Sequence, residues 1–387
     1  MNFKLFKCVA LLLLIVSIFL SACSSGSSGN PSIVEGTDLP PDQPSPQSLP
    51  QEIVSGDIGQ VLDEFISQDN PLFSGSILVA QDGEILLSKG YNFANWELKA
   101  PNSALTKYRI SSITKPFTAT MILMLAEEGL LDLEDRLCAH LPDCPDTWQD
   151  ITILNLLTHT SGVPDYTTLP GAEEASRDPH GVTSLVNSFK DEPLEFSRGE
   201  TYQYSNSNYI LLGAAIEQVS GNRYEKFLER AILNPLEIED TGMEYQDEIL
   251  KDRAAGYQIQ GRVLVNAPYL DMSNAYATAG MYSTVGDLLV FDQALTKGQL
   301  LNLENQELMY IPVEAADGSG SGYGLGWQLS EGNGHRRVGH SGGINGFRVF
   351  LGRYLDDDVT IILLTNIQTE DINPIIDGLE QIVFDEG

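Results

Sequence analysis

The sequence predicts an α+β fold: an antiparallel sheet built from both chain ends, flanked by helices, with a mainly helical lobe inserted in the middle. Three observations predict it. Two β-rich runs with a hairpin signal between them lie near residue 80, β-rich runs return only after residue 322, and the stretch between carries helical periodicity. At 387 residues, 42% hydrophobic and 8% aromatic, the chain can bury one large core or two modest ones. A cleft between sheet and lobe is the natural place for a site.

Residues 1–22 hold Lys4 and Lys7, an apolar run over 9–20, and then the small residues Ser21 and Ala22, which is the anatomy of an export signal. The competing reading is an uncleaved membrane helix, because about 20 apolar residues span a bilayer. Leu20-Ser21-Ala22-Cys23 resembles the lipobox of bacterial lipoproteins, which implies lipidation of Cys23 and a membrane anchor facing the periplasm or cell exterior. Residues 24–50 are rich in Ser, Gly and Pro with almost no large apolar side chain, so burial cannot offset their ordering entropy. Together 23–50 read as anchor and linker, and 51–387 as the folded domain.

Of the four cysteines, Cys8 leaves with the signal and Cys23 takes the lipid, so Cys138 and Cys144 meet an oxidising compartment and are expected to pair. Two buried free thiols are the alternative. The formal net charge of −32 argues against nucleic acid as partner, and is otherwise read as a solubilising surface.

Residues 75–81 and 84–90 are β-rich and joined by Asp82-Gly83, a strong hairpin signal. Residues 117–128 show apolar spacing of a helix that stops at Gly129, and 210–219 repeat the pattern before Ser220-Gly221. Thr284-Val285-Gly286-Asp287 offers a capping pattern ahead of a helix over 288–295. Strands are expected over 324–330, 336–340, 347–354 and 359–366, with a closing helix over 372–384, and there is no internal repeat.

Ser112-Ile113-Thr114-Lys115 is a Ser-x-x-Lys pair, and on a helix this spacing sets hydroxyl and amine on one face a turn apart. A neutral amine there takes the hydroxyl's proton, and partial burial favours the neutral form. The plainer reading makes Ser111 and Ser112 helix caps. Pro116 fits the first helical turn but disfavours helical geometry at Lys115. In Tyr204-Ser205-Asn206 a loop ahead of a helix holds a phenol and an amide; a phenol relays protons, and beside a lysine ammonium its pKa is expected to fall. A buried tyrosine tip with a capping asparagine is the alternative.

Gly339-His340-Ser341-Gly342-Gly343 admits two readings. As Gly-x-Ser-x-Gly it matches a nucleophile elbow, but no histidine follows His340 and the next residues read as turn and strand rather than helix. Taken in order, the three elements resemble the serine β-lactamase and D-alanyl-D-alanine peptidase superfamily: Ser-x-x-Lys, then Tyr-x-Asn, then a Lys- or His-containing triplet ending in Gly. The resemblance runs from about Gln51 to Phe384, takes in Leu156-Leu157-Thr158-His159-Thr160-Ser161-Gly162, Asn234-Pro235-Leu236 and Thr278-Ala279-Gly280-Met281-Tyr282-Ser283, and looks closest to the class C β-lactamase and esterase branch.

That resemblance implies a β-lactamase/transpeptidase-like fold with Ser112 as acylated nucleophile, Lys115 and Tyr204 as the proton-transfer pair, and Asn206 as a donor to the substrate amide. It implies His340 facing Tyr204, and Ser341, Gly342 and Gly343 lining the substrate, with the N–H groups of Ser112 and Gly343 as oxyanion hole. Class C β-lactamases carry lysine where this chain has His340, which argues against efficient β-lactam hydrolysis; Arg348 is a candidate for the missing charge, beside a plain surface role. His159 reads as a turn residue, and His140, His180 and His335 as surface groups. No spacing suggests a metal site, and no cofactor is expected.

The function expected from the sequence is a serine hydrolase acting on a small-molecule or peptide amide or ester, of D-amino-acid peptidase or esterase type. A true β-lactamase and a non-catalytic cell-wall-binding lipoprotein are the alternatives.

Overall fold

The computed structural model describes residues 52–320, 322–368 and 371–386. The export signal, Cys23 and the linker lie outside the described residues. The elements that position the site are β1 (Ile53–Val54), α1 (Gly56–Glu64), β2 (Gly75–Gln81), β3 (Glu84–Tyr91), α2 (Thr114–Glu127), α3 (Asn206–Ser220), α4 (Val285–Thr296), β4 (Gln328–Gly332), β5 (His335–Ile344), β6 (Phe347–Tyr354), β7 (Val359–Thr365) and α5 (Asn373–Glu386).

The seven strands form one sheet in the order β1-β3-β2-β7-β6-β5-β4, antiparallel at every pairing. The two chain ends meet where β2 pairs with β7, Leu78 opposite Ile362. Asp82 and Gly83 turn between β2 and β3 with φ of 50° and 78°, the positive values that a two-residue type I′ hairpin demands.

Alternation along the central strands sends side chains to two separate cores. Ile77, Val79, Ile361 and Leu363 pack with Leu62 of α1 and Leu379 and Val383 of α5, while Leu78, Ala80, Ile362 and Leu364 pack with Phe117 and Met121 of α2 and Phe291 of α4. Every residue of β7 is buried, as a strand covered on both faces requires. The second core continues into the helical lobe, where Leu211, Leu212, Ala215 and Ile216 of α3 are buried. Cys138 and Cys144 are joined in a disulfide in that lobe, with Cα atoms 5.3 Å apart.

One expected strand starts late. Residues 324–327 close a turn on themselves, Gly324 N–H donating to the Trp327 carbonyl at 2.9 Å, and Leu325 N–H donates to Met309 at 3.0 Å, so pairing begins only at Gln328.

Candidate active site

The chain enters α2 through a 3₁₀ turn at Ser111–Ile113. Ser112 in the turn and Lys115 in the first turn of the helix are three residues apart, which puts their side chains on one face. Neither Ser111 nor Ser112 caps the helix by a side-chain hydrogen bond, so the capping reading does not hold. Pro116 falls in the first turn of α2, where its missing N–H costs no helical bond.

Lys115 is fully buried. Its Nζ lies 3.2 Å from Ser112 Oγ, 2.9 Å from Asn206 Oδ1 and 3.1 Å from the Thr278 carbonyl. Burial pulls its pKa down to about 7, with Asp165 opposing from behind. A neutral amine has two N–H groups and one lone pair; the amide oxygen and the carbonyl can only accept. The two N–H groups therefore go to Asn206 and Thr278, and the lone pair is left for the hydroxyl of Ser112.

Tyr204 OH donates to Ser112 Oγ at 3.1 Å. Burial raises its pKa, so it is a phenol at neutral pH and not the phenolate-prone group expected from a neighbouring ammonium. Asn206 is the first residue of α3, and its N–H and Nδ2 both donate to Asp165 Oδ2, at 3.1 and 2.9 Å. A carboxylate only accepts, which fixes the amide with Oδ1 toward Lys115 and Thr278.

His340 is buried on β5, its ring centroid 6.3 Å from that of Tyr204. Its Nδ1 is 2.7 Å from the Ser341 carbonyl and therefore carries the proton, which leaves Nε2 to accept from Tyr323 OH at 3.0 Å. Desolvation, helped by the charge of Lys115, lowers its pKa to about 3, so it is a neutral imidazole. Ser341 is exposed and bonds Gln328 Oε1 through its N–H and Oγ at 3.1 and 3.2 Å. Gly342 lies against the nucleophile turn: a Cβ there would come within 2.9 Å of both Ser111 Cβ and Ser112 N, so only glycine lets β5 pass this close. Gly343 follows beside Arg348, and a Cβ on it would meet the guanidinium at 2.4 Å. Ser112, Tyr204 and Gly343 border two open hollows, one of about 610 Å³ toward Tyr166, Leu169 and Leu270 and one of about 470 Å³ toward Gln328, Arg348 and Asp371.

A half-buried hydroxyl between a buried amine of lowered pKa and a phenol is an arrangement for acyl transfer. The Beta-lactamase family model matches residues 62–378. The chain belongs to the beta-lactamase family. It is 32% identical over 333 residues to penicillin-binding protein 4* of Bacillus subtilis, covering 81% of this chain and 72% of that protein. Its fold matches the octameric penicillin-binding protein homologue from Pyrococcus abyssi (27% identity, TM-score 0.73, 85% of this chain and 78% of that one). A D-stereospecific amidohydrolase from Streptomyces sp. is similar too (26% identity, TM-score 0.71, 84% of this chain and 98% of that one). As a member of the beta-lactamase family the protein is a serine hydrolase.

The structure brings Ser112, Lys115, Tyr204, Asn206, His340, Gly342 and Gly343 of this beta-lactamase family member together. Sequence reading missed four neighbours: Asp165, Thr278, Tyr323 and His159. His159 does turn the chain, with φ of 58°, and it is also wholly buried against Tyr204. The Thr-His-Thr-Ser-Gly run was the available signal.

Proposed function

We propose that this beta-lactamase family protein hydrolyses small amides or esters through an acyl-enzyme on Ser112, with D-amino-acid peptides and amides as the substrate class. The observation that carries the reading is the Ser112 hydroxyl held 3.2 Å from the Lys115 amine and 3.1 Å from the Tyr204 phenol.

Ser112 Oγ attacks the carbonyl carbon as its proton passes to Lys115. The oxyanion is held by the N–H groups of Ser112 and Gly343. On collapse the bond to the leaving nitrogen or oxygen breaks, Tyr204 protonates that atom, and the Lys115 ammonium restores the phenol's proton. Water enters by the reverse route, with the amine as base, and frees the acid. The substrate class is supported by the likeness to a D-stereospecific amidohydrolase and a penicillin-binding protein. Neutral His340 brings no cation to a substrate carboxylate; Arg348, lining the hollow beside Gly343, is the residue proposed for that charge.

The test is mass spectrometry after incubation with a fluorophosphonate or a penicillin, expected to place the adduct on Ser112, followed by turnover of paired D- and L-amino-acid amides. An adduct on any other serine refutes the assignment, and equal rates for the enantiomers refute the substrate class. Family membership also favours a β-lactamase reading, and rapid hydrolysis of nitrocefin would establish it.

Among the described residues no helix is long and apolar enough to cross a membrane. We propose export by residues 1–22 and tethering through lipid on Cys23, supported by the lipobox-like Leu20-Ser21-Ala22-Cys23. Metabolic labelling with palmitate is expected to mark the protein and to fail in Cys23→Ala; equal labelling of both would exclude the anchor.

A further inference from the structure

His159 grips the tyrosine-bearing loop on both sides of Tyr204. Its carbonyl accepts from Gln203 N–H at 3.0 Å, and its Nδ1 accepts from Ser205 N–H at 3.2 Å. The ring itself lies against the phenol, with centroids 4.3 Å apart. Loop residues 201–205 have no helix or strand of their own to hold them. The left-handed backbone of His159 turns carbonyl and ring toward the same loop.

The imidazole is in turn oriented. Ser161 Oγ donates to Asn208 Oδ1 at 2.6 Å, which points Asn208 Nδ2 at His159 Nδ1, 3.1 Å away. With two donors on Nδ1 the proton belongs to Nε2, a buried atom without a hydrogen-bond partner among the described residues, enclosed by the rings of Tyr204, Tyr209 and Tyr323. An unsatisfied buried donor costs stability, and such groups persist where function requires them. Burial and the charge of Lys115 keep the ring neutral, so it adds no competing charge to the site.

We propose that His159 is a positioning residue that holds the Tyr204 phenol at bonding distance from Ser112, through the two peptide groups flanking Tyr204 and ring contact. This rests on the acyl-transfer reading above, and its distinct content is that His159 acts through Tyr204. Displacing a catalytic group by about 1 Å costs on the order of 100-fold in rate.

The test is a double-mutant cycle with Tyr204→Phe, read as kcat and KM per fluorophosphonate-labelled Ser112. His159→Gly keeps the left-handed backbone while deleting ring and acceptor. It is expected to lower kcat about 30- to 100-fold with KM within about threefold, and to lower kcat no further in the Tyr204→Phe background. His159→Asn keeps both the backbone preference and an acceptor in place of Nδ1. It is expected to recover kcat to within about tenfold of the parent, and it carries the same cycle if the glycine variant does not fold. Equal losses with and without the phenol, or unaltered kcat per labelled site, overturn the proposal. Failure of the underlying reading has another signature: turnover that survives Ser112→Ala.

Discussion

Ser112→Ala is expected to lower kcat/KM by about 10⁴-fold or more, because the covalent route disappears and only substrate binding and the oxyanion donors remain. The folded state should tolerate the change. Ser112 is half-buried, and the two groups bonded to its Oγ have other surroundings: Lys115 keeps Asn206 and Thr278, and Tyr204 keeps its ring packing against His159. Thermal melting should therefore move by no more than a degree or two while turnover and the fluorophosphonate adduct vanish together. Turnover above about 1% of the parent would sink the nucleophile assignment.

Lys115→Met, which nearly keeps the volume while removing the amine, is expected to lower kcat/KM about 10²- to 10⁴-fold, the usual worth of a positioned base. It should also change the shape of the pH profile. The amine is protonated below about pH 7 and cannot take a proton; above it the free amine can, so activity in the parent rises with pH through about 7 and then levels. His340, with its pKa near 3, and Tyr204, raised by burial, contribute no limb in between. Loss of the limb near 7 in Lys115→Met is the expected result, and an identical profile in both proteins would remove Lys115 from the mechanism.

The same lysine predicts how stability follows pH. Its folded pKa of about 7 lies below the ordinary 10.5, so between these values the unfolded chain binds more protons than the native one. Stability from this group therefore rises as pH climbs from about 7 toward 10.5, and its burial costs most below 7. Lys115→Met flattens that slope, which melting temperatures across the range would register.

Much of the site was legible because its chemistry sits in short runs. Ser112 and Lys115 are three residues apart, Tyr204 and Asn206 two, and His340 and Gly343 lie on one strand, so local spacing sufficed to group them. The Asp82-Gly83 hairpin and the α2 and α3 helices were equally local. Helix α1 escaped notice because it is short and its Ser55 cap makes no side-chain bond; what holds it is Leu62 packing under the sheet. Asp165 and Thr278 escaped for a like reason: alone each is an ordinary polar residue, and only contact with Asn206 gives it a role.

By itself the sequence determined the order of the three motifs, the hairpin and helix stops, and the alternation that splits β2 and β7 between two cores. Those properties follow from covalent neighbours and from the periods of strand and helix. Tertiary structure alone decided the protonation states. The Lys115 amine is pulled down to a pKa of about 7, and Tyr204 keeps its proton, because side chains far apart in sequence exclude water from both; desolvation is a sum over neighbours that no local run of residues contains.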